Sequence, residues 1–375
     1  AHLRDAGLPN KGVEATYRFV VNSTAVSAAG AQLSPADRST RFDMSALLKC
    51  GVRGTSSLVC RMSDSRAVSF ASANVDPQCP GKPLPDTLTE HAEYQIAEEA
   101  FEIEFENTGI GKILVNRTVS PPDLNIIRAL ANQFNVGANL GRRRETDFHL
   151  MERSVIGKCD THYHIVKNTS VDSTLHLRKG PEFANCSTGC GKVTKPTTWE
   201  GDYRLSGLES LGLRHGQTMW LEKWRNVDRC SLRADYFFGS REAFLGARND
   251  FEARIVSSES SLFVSDSNFA SYTRNELLVR RARGDDLSVY ESYSLSLVSI
   301  DAAETPRPLS IIDPATASVY AFQYIDDDEE SPEEPVEPPK KITKSKTSQP
   351  VIATTTATTT TTRTTSAAVG PTPCA

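Results

Sequence analysis

Three residues at alternate positions, Asp160, His162 and His164, have the types and spacing that could do chemistry. They lie within Ser154–Val166, where apolar and polar residues alternate as in a β-strand. Alternate side chains of a strand share one face, so a carboxylate and two imidazoles could meet a divalent metal ion there. The sequence shows no fourth ligand, and a polar outer face of a half-exposed strand explains the same pattern. We therefore assign no metal site and keep the three residues as a candidate.

Catalytic motifs are absent from the chain. It has neither the His-Glu-x-x-His pattern of zinc proteases nor the Gly-x-Ser-x-Gly pattern of serine hydrolases. We predict a protein that is not an enzyme and has no catalytic residues and no cofactor.

The charge and the apolar runs exclude two further classes. The net charge of −5 argues against a nucleic-acid-binding protein. No run of about 18 apolar residues occurs, so we predict no transmembrane segment.

Several features favour secretion. Eight cysteines without Cys-x-x-Cys spacing are typical of disulfides, and the Thr-rich tail resembles an O-glycosylated stalk. The chain starts at Ala1, as a mature protein does after signal-peptide cleavage. Four Asn-x-Ser/Thr sequences predict N-glycosylation, at Asn22, Asn116, Asn168 and Asn185. We expect an extracellular glycoprotein.

Short runs of period two, separated by Gly, Asn, Asp and Ser clusters, continue from Thr16 to about Tyr324. They predict a mainly β fold, an antiparallel sheet large enough to close like a barrel and so remove its edges.

One helix interrupts the strands. Pro121 and Pro122 suit its first positions, and Asp123 favours the positive end of the helix dipole. The apolar residues from Leu124 to Phe134 cover so much of its surface that we predict a buried, central helix. Packing of the helix on one face of the sheet is the alternative.

The composition divides the chain into three parts. Residues 1–15 form a leader, 16–325 the β domain, and 326–375 an acidic, Pro-rich and then Thr-rich tail. The tail lacks the apolar area that offsets ordering entropy, so we predict that it is disordered.

The order of the central elements resembles the amino-terminal domain of the large lipid-transfer proteins: vitellogenins, apolipophorins and microsomal triglyceride transfer protein. N-I-x-R-A is met from Asn125 and G-x-C-x-T-x-Y from Gly157, with an Asn-Cys pair at Cys186. The strand Gly-Lys-Ile-Leu-Val-Asn-Arg-Thr-Val from Gly111 stands where the family has G-x-I-x-x-L/V-x-V and keeps its Gly and Ile. The resemblance implies a β-barrel with the helix in its interior, a link to lipid transport, and a disulfide between Cys159 and Cys186. It also implies that the basic run Arg142, Arg143 and Arg144 docks a receptor, against the alternative of a solvated charge run.

The remaining cysteines leave alternatives. Cys190 and Cys230 are a candidate second bridge. Cys50, Cys60 and Cys79 cannot all pair among themselves, so one of them is free, meets Cys374, or meets a partner chain.

Three functional hypotheses follow. The first is a secreted, non-enzymatic member of the lipid-transport family that docks a receptor, a lipoprotein particle or a partner protein, because a barrel filled by its own helix has little room for lipid. The second is a stand-alone structural or defence glycoprotein of the extracellular matrix or fluid that carries no lipid. The third is a fragment of a longer lipoprotein.

Overall fold

Fifteen strands and one helix make up the computed structural model. It describes residues 2–3, 13–27, 39–54, 56–72, 88–94, 96, 98–141, 143–168, 205–206, 211–214, 216–233, 251–281, 286–302 and 310–320. The strands are β1 (His2–Leu3), β2 (Val13–Ser27), β3 (Ser39–Arg53), β4 (Ser57–Ser72), β5 (Leu88–Tyr94), β6 (Ala100–Glu106), β7 (Gly109–Asn116), β8 (Asp147–Ser154), β9 (Gly157–Asn168), β10 (Leu205–Ser206), β11 (Thr218–Arg233), β12 (Phe251–Val264), β13 (Phe269–Arg281), β14 (Leu287–Ala302) and β15 (Pro314–Ala317).

One antiparallel sheet contains thirteen of these strands. Its order is β15-β7-β6-β4-β3-β2-β14-β13-β12-β11-β9-β8, with β5 paired to β4, while β1 and β10 form a separate pair. The predicted mainly β, antiparallel architecture is confirmed. The first strand of the main sheet starts at Val13, and Ala15 is fully buried, so the sheet begins inside the segment predicted as a leader.

The sheet does not close, because its hydrogen-bonded path ends at β15 and β8. β8 does approach β7, but the segment after the helix lies there. Asn135 Nδ2 donates to the Arg153 carbonyl of β8 at 2.6 Å. A Cβ on Gly109 of β7, where φ is 124°, would lie only 2.3 Å from Asn135 Oδ1. A side chain and a glycine thus occupy the place where two strands of a closed barrel would pair.

The predicted helix is confirmed as α1 (Pro121–Asn132). Ser120 caps its first turn, with Oγ accepting from the Asp123 amide at 3.2 Å and donating to the Asp123 carboxylate at 2.6 Å. Of its twelve residues, only Pro121, Pro122 and Asn125 are not buried. The helix ends at Asn132, before Phe134, and Gly137, whose φ is 75°, lies in the segment that follows.

The buried apolar residues form two clusters. The larger packs α1 against most strands of the sheet, with Leu130 and Phe101 fully buried. The smaller lies among β2, β9, β11, β12, β13, β14 and the turn that joins β8 to β9, and it includes Ile255 and Val289. Buried polar residues of the same strands, among them Glu152, Lys223, Arg225, Ser258 and Asn275, belong to neither cluster.

The tail predicted to be disordered lies outside the described residues. Within the part of the chain that the structure describes, no helix is long and apolar enough to cross a membrane.

Candidate functional site

β9 carries the three candidate metal ligands singled out in the sequence, and it lies between β8 and β11 in the sheet. The three strands are neighbours: His149 lies opposite His162, and His162 opposite Trp224. Because side chains alternate along a strand, one set points inward to the core and the other outward to solvent. We call these sets the inner network and the outer cluster.

The inner network is Glu152, Thr161, Lys223 and Arg225. Glu152 is fully buried, and its Oε1 accepts from Lys223 Nζ at 2.6 Å. Arg225 Nε lies 2.9 Å from Glu152 Oε2, to which the Thr161 hydroxyl donates at 3.2 Å. Lys223 Nζ also donates to the carbonyl of Asn135 at 2.7 Å. The network therefore ties the segment after α1 to the sheet.

Burial and charge oppose each other in this network. Burial raises the pKa of Glu152, but the two cations outweigh it, so the pKa lies below its ordinary value. Burial lowers the pKa of Lys223 to about 8, and Glu152 limits that decrease. At neutral pH we therefore assign one carboxylate and two cations to the interior. Two further hydrogen bonds hold Arg225: its guanidinium donates to Ser258 Oγ at 3.2 Å and to Ser260 Oγ at 2.8 Å.

The outer cluster is Asp147, His149, Asp160, His162, His164 and Trp224. The three candidate metal ligands, Asp160, His162 and His164, do share one face of β9, as predicted. Asp160, however, is contacted by His149 Nδ1 at 3.3 Å and by Arg229 NH1 at 2.9 Å.

The two other candidates, His162 and His164, contact the carboxylate of Asp147 instead of Asp160. Asp147 Oδ1 lies 2.8 Å from His164 Nδ1 and 3.7 Å from His162 Nε2. Among the described residues, no group of three His, Cys, Asp or Glu side chains is arranged to hold a metal ion.

The two described arginines of the basic run before β8, Arg143 and Arg144, have different surroundings. Arg143 lies over the ring of Phe148, 4.3 Å from its centroid, and contacts Glu145 at 3.5 Å. Arg144 is exposed, and Arg142 lies outside the described residues. Partner docking by this run remains a prediction, with Arg144 its most accessible described member.

The predicted disulfides are wrong. Cys159 is bonded to Cys230 and not to Cys186, so Cys190 cannot pair with Cys230. The reason is register: Cys159 and Cys230 lie opposite each other on β9 and β11, beside a bulge that brings Cys230 into place. The alternatives left open for Cys50 and Cys60 are resolved in the same way, because they face each other on β3 and β4 and are bonded.

The other four cysteines, Cys79, Cys186, Cys190 and Cys374, lie outside the described residues. Of the predicted glycosylation sites, Asn22 is partly exposed on β2. Asn116 ends β7, with Oδ1 accepting from the amide and the hydroxyl of Thr118. The Asn168 side chain and all of Asn185 lie outside the described residues.

Sequence reasoning missed the inner network, although it had a signal. Along β11 the inward positions read Met219, Leu221, Lys223, Arg225 and Val227, so two cations interrupt an otherwise apolar face. A buried cation needs a carboxylate, and Glu152 occupies an inward position of β8.

The inner network and the outer cluster place ionisable groups on both faces of β8, β9 and β11. The sequence profile of the vitellogenin N-terminal domain matches residues 13–276, well over half of the chain. The chain belongs to the vitellogenin N-terminal domain family. The family match covers β2 to most of β13, and therefore both the inner network and the outer cluster.

Comparison with solved structures finds seven matching chains. One of them was reported under "Lipid-protein interactions in lipovitellin", with 12% sequence identity and a TM-score of 0.48. The match covers 81% of this vitellogenin-family chain and 27% of the lipovitellin chain. Comparison with curated proteins finds none that matches.

Proposed function

We propose that this chain is a secreted, non-enzymatic protein of the lipid-transport family that works by docking a receptor, a lipoprotein particle or a partner protein. Family membership supports the class. Two disulfides and the partly exposed Asn22 support an extracellular, glycosylated protein.

One observation carries the docking proposal: the inward face of the described sheet is packed with the protein's own groups. α1 buries nine of its twelve residues there. Gln133, just after the helix, accepts from Ser271 Oγ at 3.2 Å and Thr273 Oγ1 at 3.3 Å on β13. The same segment contacts the inner network, because Lys223 donates to the Asn135 carbonyl. Ionic and amide groups would be costly to place against lipid chains, so we assign binding to the outward surface.

The candidate docking residues remain the basic run before β8. Exposed arginine suits the carboxylates of an acidic partner, and such contacts act mainly on the association rate and its salt dependence. Arg144 is the residue best placed for this role, since Arg143 packs on Phe148.

The experiment is lipid analysis of the natively secreted protein, combined with binding to lipoprotein particles. We expect less than one bound lipid per chain and saturable binding that weakens as salt rises. Arg144→Glu should weaken this binding, whereas Arg66→Glu, an exposed arginine on β4, should not.

Two outcomes would contradict the proposal. Many phospholipids or triglycerides per chain would make the protein a lipid carrier. A protein that binds neither lipid nor lipoprotein particles would instead be the structural or defence glycoprotein.

A further inference from the structure

Large apolar side chains that remain exposed gather on one part of the sheet. The described residues include six of them, and four lie on β8, β11 and β12: Met151, Trp224, Leu232 and Val256. These three strands and β9 are consecutive in the sheet. Isolated exposed apolar residues are common on proteins, but several on one surface indicate a binding site.

Strand register brings two of these residues beside cations. Met151 of β8 lies opposite Asp160 of β9, and two residues later Arg153 lies opposite Lys158. Lys158 in turn lies opposite Leu232 of β11. Because paired strands are about 4.8 Å apart, Arg153, Lys158 and Leu232 form one row across three strands. Arg153 and Leu232 are exposed and Lys158 is partly exposed, so this row faces solvent.

β12 continues the same surface. Arg254 of β12 contacts Asp228 of β11 at 2.9 Å. Val256 follows two residues later, at a bulge between Ile255 and Ser257, and is 48% exposed. A cation beside an exposed aliphatic side chain therefore recurs on β12.

The ends of these four strands carry an excess of positive charge. Arg229 contacts Asp160 at 2.9 Å, so each of the two carboxylates here is already paired with one arginine. Arg153, Lys158 and Arg233 are three further cations, and neither Arg153 nor Lys158 forms an ion pair with a described residue. Among the described side chains, five cations thus meet two carboxylates. Such a surface is complementary to an anionic partner.

Apolar and cationic side chains alternate here instead of occupying separate areas. A protein interface has an apolar core that is poor in charge, and this surface has no such core. At a phospholipid surface the two kinds of side chain act at different depths. Aliphatic and indole groups enter the boundary with the acyl chains, while arginine and lysine reach the phosphates. Trp224, which stacks on His162 and is 40% exposed, is a residue type enriched at that boundary.

We propose that this surface, which we call the cationic end (Met151, Arg153, Lys158, Leu232, Arg254 and Val256), binds an anionic phospholipid surface. It adsorbs to lipid headgroups and holds no lipid inside the protein.

The cationic end goes beyond the proposed docking by Arg144 and does not depend on it. Arg144 precedes the start of β8, whereas Arg153 lies near the end of that strand. The eight residues of β8 place its two ends about 23 Å apart. This distance exceeds the Debye length of about 8 Å in physiological salt, so charges at one end are screened from the other.

The test is flotation of the full chain with protein-free vesicles of phosphatidylcholine, prepared with and without phosphatidylserine. We expect binding to the vesicles that contain phosphatidylserine and none to the others, with a loss of binding as salt rises. Lys158→Glu should weaken the binding at least about fivefold, the contribution of one cation near an anionic membrane. Arg66→Glu, which changes an exposed arginine on β4, should leave it unchanged.

A pair of valine variants tests the apolar contribution. Val256→Ser should weaken vesicle binding about three- to fivefold, because it removes an aliphatic side chain from the lipid boundary. Val298→Ser is the matched control, since Val298 is 46% exposed and lies on β14, toward the end that pairs with the start of β2. It should bind as the unchanged chain does.

Three results would overturn the proposal. The first is equal binding to the two kinds of vesicle, and the second is an equal effect of Val256→Ser and Val298→Ser. The third is unchanged vesicle binding in Lys158→Glu. If Arg144→Glu still lost lipoprotein binding in that case, the cationic end would be wrong and the proposed docking function would stand.

Discussion

Strands β8, β9 and β11 carry ionisable groups on each face, and the two sets differ in how deeply they are buried. Inside, Glu152 is fully buried between Lys223 and Arg225. Outside, His149 is 64% exposed and meets the carboxylate of Asp160, which is 13% exposed. An ion pair is therefore costly to break where water cannot solvate the charge left behind, as in the inner network. It costs little to break where water can solvate that charge, as in the outer cluster.

The largest expected effect comes from breaking the inner network. Glu152→Gln leaves two cations buried without a carboxylate, and we expect a loss of about 3–5 kcal/mol in the free energy of unfolding. Urea denaturation would measure it. Glu145→Gln, which removes an exposed partner of Arg143, should cost less than about 0.5 kcal/mol. Similar losses in both variants would mean that the two regions do not differ as described.

Removing the Cys159–Cys230 disulfide tests the scaffold that both networks share. It spans 71 residues, so the Cys159→Ser/Cys230→Ser double variant should lose about 4 kcal/mol in the chain-entropy picture. The Cys50–Cys60 bridge spans 10 residues, and its removal should cost about 3 kcal/mol. Peptide mapping without reduction should recover Cys159 linked to Cys230; recovery of Cys159 linked to Cys186 would contradict the structure.

The pH dependence of stability should report on the inner network. The pKa of Glu152 is lowered in the folded protein, so its contribution is present above the ordinary value near 4.3 and is lost as the pH falls below it. We expect the free energy of unfolding to fall in acid below about pH 4, as the Glu152 carboxylate gains its proton. Urea titrations at closely spaced pH values would measure it. A free energy of unfolding that stays constant below pH 4 would contradict this prediction.

The smallest effect concerns the loop before β8. Arg143→Glu removes the contact with the Phe148 ring and places a carboxylate beside Glu145, at a cost of about 1 kcal/mol. Arg144→Glu should leave the free energy of unfolding within about 0.5 kcal/mol. Thermal unfolding of the two variants side by side would detect the difference. Equal stability of the two variants would mean that the contact of Arg143 with the Phe148 ring adds nothing to the free energy of unfolding.

Local sequence signals predicted the elements better than their connections. Alternation predicted the strands, and Pro121, Pro122 and Asp123 mark the start of α1 because the preferences of the first helical turn and the helix dipole are local. The side-chain faces of Asp160, His162 and His164 were also predictable from period two. Which carboxylate each imidazole meets depends on β8, a different strand, and no local pattern contains that register.

The same limit explains the disulfides and the open sheet. Cys159 meets Cys230 because β11 pairs with β9 across a bulge, a contact between residues 71 positions apart. The edge at β8 stays open because Asn135 occupies the place of a neighbour, which the sequence of β8 alone does not indicate. The inner network was more accessible, since two cations on an inward face of β11 require a buried acid.

The pairing of β2 with β14 has a consequence for how the protein is made. β2 occupies the middle of the sheet, between β3 and β14, yet β14 begins roughly 260 residues after β2 ends. At about 5–20 residues per second, a ribosome needs about 13–50 s to supply it. During that time β2 can pair with β3 while its other side remains an unprotected edge, the kind of surface on which nascent chains mispair. The interval between these two strands is therefore the period of synthesis in which a chaperone is most needed.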